Sequence, residues 1–400
     1  MLQKSEVVVR RSITEILSYR IEYFSPAWFG MVMGTGISGA ILIDYPFGAE
    51  WSRDIGIAFW AFATGLLILF CIMTISRHIL FPGTFKQVLF HPMQSMFLGC
   101  MPMGSSSVIA DTIGIFGKRA VWPCYILWWI DLALSLACAW LLVFVGFVHH
   151  SRKQPEGSNA VILLPVVTLV VNSSTGSLIL EESPENWRPH MIVMTTLVWG
   201  NGEASAYAFT CVYTWRLLTG NMPTREMMIS CFLPIGPLGQ GAYGFLLNSQ
   251  SSQNYLVKHD YPMLSQVPVF KYVGIIVAVV MVGFATFWSF CAVAGCLYYR
   301  PKIFGIAWWG LSFPVGTYAL ATNQLGIALN SDAFRVVSCV VGTIVVVVSF
   351  ALFIATFYFS VIKDDIFRNF AMEMEQMYPK QEALSNKTDD SGASRIEKFC

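Results

Sequence analysis

Charge is scarce in this chain. Of its 400 residues only 12% are Asp, Glu, Lys or Arg, about half the share of a soluble domain. The formal net charge is +1, so no electrostatic footprint points to nucleic acid as a partner. The ten cysteines include no C-x-x-C pair, which excludes the usual zinc and dithiol spacings. The histidines stand at the ends of apolar segments or between them, with no ligand spacing. A metalloenzyme or intramembrane hydrolase needs a ligand cluster or a nucleophile–base pair, and neither is in evidence. No ATP-binding motif occurs, so no cofactor is expected and the protein is not read as an enzyme.

What the chain has is apolar length. Stretches of about 20 residues, enough to cross a bilayer, recur near 26–43, 55–76, 94–116, 122–148, 160–180, 190–217, 226–247, 271–299, 304–329 and 334–362. This gives an all-α integral membrane protein of about ten transmembrane helices, surrounded by lipid. Three regions follow: a cytosolic N-terminal segment (1–22), a ten-helix transport domain (23–363), and a cytosolic, largely disordered C-terminal tail (364–400). An even number of crossings puts both termini on one side. Most of the 25 Lys and Arg residues fall in loops on that side, which marks it as cytosolic.

The odd-numbered segments carry a common signature. They contain Met31-Val32-Met33-Gly34, Met101-Pro102-Met103-Gly104, Leu164-Pro165-Val166-Val167, Leu233-Pro234-Ile235-Gly236 and Phe313-Pro314-Val315-Gly316. Proline inside a helix removes a hydrogen bond and kinks it. Freed backbone groups in a bilayer must meet protein or water. Five kinked helices around a shared space are therefore expected. The even segments place Pro123 and Pro189 only at their starts, where proline is tolerated. The architecture read from this alternation is five helical hairpins: an inner ring of odd helices around a central pore, and an outer ring of even ones.

Small polar residues follow the breaks: Gly34, Thr35 and Ser38; Ser105 and Ser106 after Pro102; Asn172 and Ser173 after Pro165; Gln240 and Tyr243 after Pro234; Thr317 after Pro314. Helix starts and hydroxyls offer donors to an anion without fixed charge. No Lys or Arg lies mid-segment in the odd series, which suits rapid passage of a small anion. Each Ser or Thr taken singly reads as a bond to its own helix backbone. Asp131 and Glu203 lie on even helices, outside the expected wall, with structural roles favoured over proton coupling. Asp111 lies near the outer end of the third segment, where a vestibule is expected. Phe313, just before the ninth segment's proline, is open between a constricting gate and a core side chain.

Several segments carry a family resemblance: Trp28-Phe29-Gly30-Met31-Val32-Met33-Gly34-Thr35-Gly36-Ile37-Ser38, Tyr125-Ile126-Leu127-Trp128-Trp129-Ile130-Asp131-Leu132, Gly236-Pro237-Leu238-Gly239-Gln240-Gly241 and Trp308-Trp309-Gly310-Leu311-Ser312-Phe313-Pro314. Over roughly residues 23–363 the chain resembles the tellurite-resistance/dicarboxylate transporter family, which includes slow anion channels, and within it the fungal sulfite efflux pumps. The resemblance implies a homotrimer with one pore per protomer and an occluding phenylalanine at Phe313. It also implies efflux of sulfite or bisulfite at the plasma membrane. A C4-dicarboxylate (malate) transporter or an anion channel of the same fold is the alternative.

Overall fold

The computed structural model describes residues 12–48, 50–150, 159–261, 267–301 and 303–378, and every regular element among them is helical. A short helix α1 (Ile13–Glu22) precedes ten longer ones. These are α2 (Phe29–Ile43), α3 (Glu50–Leu80), α4 (Cys100–Phe116), α5 (Val121–Leu136), α6 (Leu164–Glu182), α7 (Arg188–Leu218), α8 (Ile235–Lys258), α9 (Val269–Tyr299), α10 (Ser312–Ala328) and α11 (Asp332–Phe357). A final helix, α12 (Asp365–Met377), ends the described chain. The odd segments of the sequence are thus α2, α4, α6, α8 and α10.

Burial divides the ten into two sets. Helix α6 is buried without a gap from Leu164 to Ser177, and α2 is almost as fully enclosed. The alternate helices bury one stripe each. On α11 that stripe is Ser338, Gly342, Val345, Ser349, Leu352 and Thr356, the 3–4 spacing of a single helix face. The buried stripe is built from small and hydroxyl residues, while Val340, Ile344, Val347, Phe350 and Ile354 face outward. A water-soluble helix does the reverse. Large apolar residues outside and small ones at the packing seam are what a lipid surround selects.

The buried helices touch in a closed order: α2 on α4, α4 on α6, α6 on α8, α8 on α10, and α10 back on α2. Each also packs on the helix that follows it in the chain, giving pairs α2/α3, α4/α5, α6/α7, α8/α9 and α10/α11. By length and composition, six stretches of the described residues are apolar enough to cross a membrane, one of which (Gln94–His149) holds both α4 and α5. Helices α7, α8 and α10 fall outside that criterion. Helix α10 has 17 residues, and α8 carries the polar run Asn248 to Asn254, much of it buried against protein.

The prolines do not kink helix interiors as the sequence suggested. Pro165 falls in the first turn of α6, Pro234 directly precedes α8, and Pro102 and Pro314 are the third residues of α4 and α10. First-turn amides have no intrahelical acceptor, so proline sacrifices nothing there. Short 3-10 turns lead into α2, α6, α8 and α10 at Pro26–Trp28, Ala160–Leu163, Met228–Phe232 and Ile306–Gly310. Two starts share a further device. The hydroxyls of Thr168 and Thr317 each donate to the carbonyl of the proline three residues earlier, at 2.7 Å in both cases.

The start of the C-terminal region holds a helix that the sequence analysis did not identify. Residues 365–377 form α12, whose Ile366, Phe367, Phe370, Ala371 and Met374 make one apolar face. High charge in this stretch hid that periodicity from a composition-based reading. The helix lies across the chain's N-terminal part: Phe367 stacks on Trp28 at 5.2 Å, and Tyr23 donates to Glu375 at 2.7 Å. The buried Arg77 donates to the Phe24 carbonyl at 2.6 Å and stands over the Phe370 ring at 5.6 Å. The expected disorder beyond Pro379 lies outside the described residues. Arg77→Ala should lower stability by about 1–3 kcal/mol, because it strands a buried carbonyl. A thermal melt in detergent checks this, with earlier protease cleavage at α12 as a companion sign.

Candidate functional site

Two cavities lie inside the ring. The near cavity surrounds the helix starts and is walled by Gly30 of α2, Cys100 of α4, Leu164 of α6, Gly236 of α8 and Pro314 of α10. The far cavity lies further along the ring, with Gly36, Asp111, Thr175, Gln240 and Leu320 on the same five helices. No residue of α3, α5, α7, α9 or α11 lines either space. One side chain belongs to both walls: Phe313, which is 3% exposed. Its ring stands between the two cavities at the first turn of α10.

All five inner helices begin at the near cavity. Their first-turn N–H groups and the positive ends of their dipoles converge there. The wall is otherwise mostly apolar, and among the described residues neither cavity is lined by Lys or Arg. The positive potential of the near cavity comes from its backbone, and Glu226 places one carboxyl group on the same wall. The far cavity lies toward the C-terminal ends of α2, α4 and α6 and beside the first halves of α8 and α10, and it carries Asp44 and Asp111 on its wall.

The structure sorts the polar residues singled out in the sequence. Gln240 and Tyr243 line the far cavity, and Pro314 lines the near one. Most of the others turn away. Thr35 donates to the Met31 carbonyl at 2.6 Å. Ser38 donates to the Gly34 carbonyl and to Ser349 of α11, at 2.8 and 2.9 Å. Ser173 donates to the Thr195 carbonyl of α7 at 2.8 Å. Thr317 adds a 3.4 Å bond to the Gly236 carbonyl. Gly34 is a packing site, where an added Cβ would collide with Ser312 and Trp309. Pro102, Pro165 and Pro234 are buried at helix starts without lining either cavity, and Ser105 is half-buried off both walls. In hydrocarbon, a hydroxyl bonded to its own helix leaves no donor unsatisfied, which is why these residues serve packing.

Asp131 and Asn172 form a buried knot. From α5, Asp131 Oδ2 accepts from Ser106 of α4 at 2.6 Å and from Asn172 of α6 at 2.9 Å. Trp128 closes it, donating to the Asn172 carbonyl at 2.9 Å. The outer helix thus ties two ring helices together through neutral donors. Asp131→Leu leaves two buried donors without an acceptor and should cost about 1–3 kcal/mol. Asp131→Asn keeps an acceptor oxygen and should cost less. Melting temperatures of the two variants check the order.

The small polar residues that follow the sequence's breaks also include Ser107 and Thr175, which line the far wall, whereas Gly36 and Asp44 on that wall were missed. A signal for the wall face was present. On α6 the wall residues are Leu164, Val167, Val171, Thr175 and Leu178, one stripe at 3–4 spacing. Asn172 and Ser173 lie one and two residues off it, on other faces of the helix.

A lipid-facing helical protein with an enclosed passage along its axis fits a membrane transport protein, a channel or a carrier. The chain belongs to the voltage-dependent anion channel family, whose pattern matches residues 23–357. It is 30% identical to a sulfite efflux pump of Arthroderma benhamiae over 353 residues, covering 86% of this chain and 92% of that protein. A sulfite efflux pump of Saccharomyces cerevisiae is 26% identical, covering 84% and 87%. A malic acid transport protein of Schizosaccharomyces pombe is 23% identical, covering 82% and 76%.

Proposed function

We propose that this anion transporter exports sulfite or bisulfite across the plasma membrane. The anion enters the near cavity at the converging helix starts, passes Phe313 and leaves through the far cavity. In this reading all ten helices α2 to α11 cross the bilayer as five hairpins, with both termini in the cytosol. An inside-negative potential then drives anions outward, at about 2.3 kcal/mol per charge per 100 mV. The carrying observation is that all five inner helices contribute to both cavities, no outer helix does, and one aromatic side chain is shared between the two walls.

Three further points support the assignment. Walls without Lys or Arg bind a small anion weakly enough to release it. A dicarboxylate brings two charges and calls for fixed cations that these walls do not offer. The relatives named as sulfite pumps are also nearer in sequence than the malic acid transporter. Assembly as a homotrimer stands on the family resemblance.

The test is expression in yeast lacking its own sulfite exporter. Restored growth on sulfite, with sulfite release from loaded vesicles, is the expected result. Vesicles that move malate and not sulfite would establish the dicarboxylate reading instead.

A further inference from the structure

Asp111 occupies an odd place for a residue on an anion path. It is 3% exposed, it lines the far cavity, and its Oδ2 has no hydrogen-bond partner. That oxygen rests against the bare faces of two glycines of α2: a Cβ built at Gly39 would be 3.1 Å from it, and one at Gly36 3.7 Å. Neither glycine has a side chain to donate. A second acceptor on the same wall, Gln240 Oε1, also lacks a partner, its amide nitrogen being committed to Ser174.

The charged and titratable neighbours do not compensate. From the end of α2, Asp44 faces Asp111. From α6 and α8, Glu181 and Tyr243 belong to the same electrostatic group. From α3, Arg53 acts on Asp44, yet its guanidinium is engaged with the carbonyls of Gly114 and Ile115, at 3.3 and 3.4 Å. The last turns of α2 and α4, at Ile43 and Gly114 on the same wall, add their negative dipole ends. An anion leaving by this route meets unpaired acceptors and like charge.

We propose that Asp111 is a proton-binding site that sets whether the far cavity admits an anion. A proton from water on the far face bonds to Asp111 Oδ2, leaving hydroxide in the water, and removes the negative charge from the wall. Loss of that proton to water restores the charge, and the anion is repelled. Flux then rises as the far face is acidified. In the orientation proposed above that face is extracellular. The inference rests on the transport reading, and it makes the exit a proton-controlled electrostatic barrier placed after the Phe313 constriction.

The test uses purified full-length protein in liposomes with chloride as the permeant ion, because chloride does not titrate and sulfite does. Wild-type flux should rise roughly tenfold as the far-side pH falls, the scale expected for removing one unit charge from a confined path. Asp111→Asn should conduct at the high level at every pH, and Asp111→Glu should keep a pH dependence. Acid-induced infrared difference spectra should show a carboxyl band in the wild type that Asp111→Asn lacks, a readout independent of flux. A wild-type pH profile persisting in Asp111→Asn, with the band unchanged, overturns the proposal and leaves the transport reading standing. Flux that follows far-side sodium or potassium and ignores pH overturns the proton as ligand. Absence of flux for chloride and sulfite alike, in wild type and variants, overturns both readings.

Discussion

Phe313→Ala is expected to raise small-anion flux by about tenfold or more, since each 1.4 kcal/mol removed from a barrier is worth a factor of ten. The ring is the one side chain shared by the two cavities, and truncating it to a methyl group joins them. Hydrophobic constrictions of this kind hold a path closed by excluding water. Phe313→Trp, which keeps an aromatic plug, should stay near the wild-type rate. Losing a core phenylalanine typically costs about 3–5 kcal/mol, but Phe313 borders open space on two sides, so the loss should fall at or below the lower end. Flux from liposomes and a melt on the same preparation separate the two effects. Unchanged flux in a folded Phe313→Ala protein would return this residue to the core.

Gly244→Ala is expected to be the most damaging single-methyl change in the ring. A Cβ there would sit 2.5 Å from Ser174 Cβ and 2.7 Å from Ser174 Cα, so the obstacle is the α6 backbone and cannot rotate away. Overpacking of this kind costs about 1–3 kcal/mol and sometimes more. Gly239 plays the same part toward α10, where a Cβ would lie 2.7 Å from the Tyr318 amide nitrogen. These two glycines let α8 approach both of its ring neighbours closely, the small-residue packing that lipid-embedded helices rely on. Gly283→Ala on α9 is the control. Nothing lies within 4 Å of its added methyl, so it should be neutral or gain up to about 1 kcal/mol of helix propensity. Equal melting temperatures for the Gly244 and Gly283 variants would mean that the ring is looser than described here.

How far the sequence could be read depended on the kind of signal. The alternation of Gly- and Pro-rich segments with long apolar ones marked the ring helices, because close packing and helix starts both demand particular residue types. The same prolines misled on position. Pro165 in a run of apolar residues resembles a kink, and only the 3-10 turn before it shows that the helix begins there. Polar side chains were the least legible. Asn172 and Thr175 differ by three positions, yet one is spent on Asp131 while the other reaches the cavity wall. That division follows from helix rotation within the ring, which no single segment encodes. The structural part read for Asp131 agrees with its bonds to Ser106 and Asn172, but its partners were not legible, because they lie on two other helices. Helix α12 was missed because charge content concealed a five-residue apolar face.

Central to this account is an anion route along the axis of the five inner helices. A crystal structure of Phe313→Ala soaked in bromide tests it most directly, because anomalous scattering locates the ion. Bromide on the ring axis, between Leu233 at the near cavity and Tyr243 at the far one, is the predicted result. Bromide confined to the outer faces of α3, α5, α7, α9 and α11, with the axis empty, would contradict it.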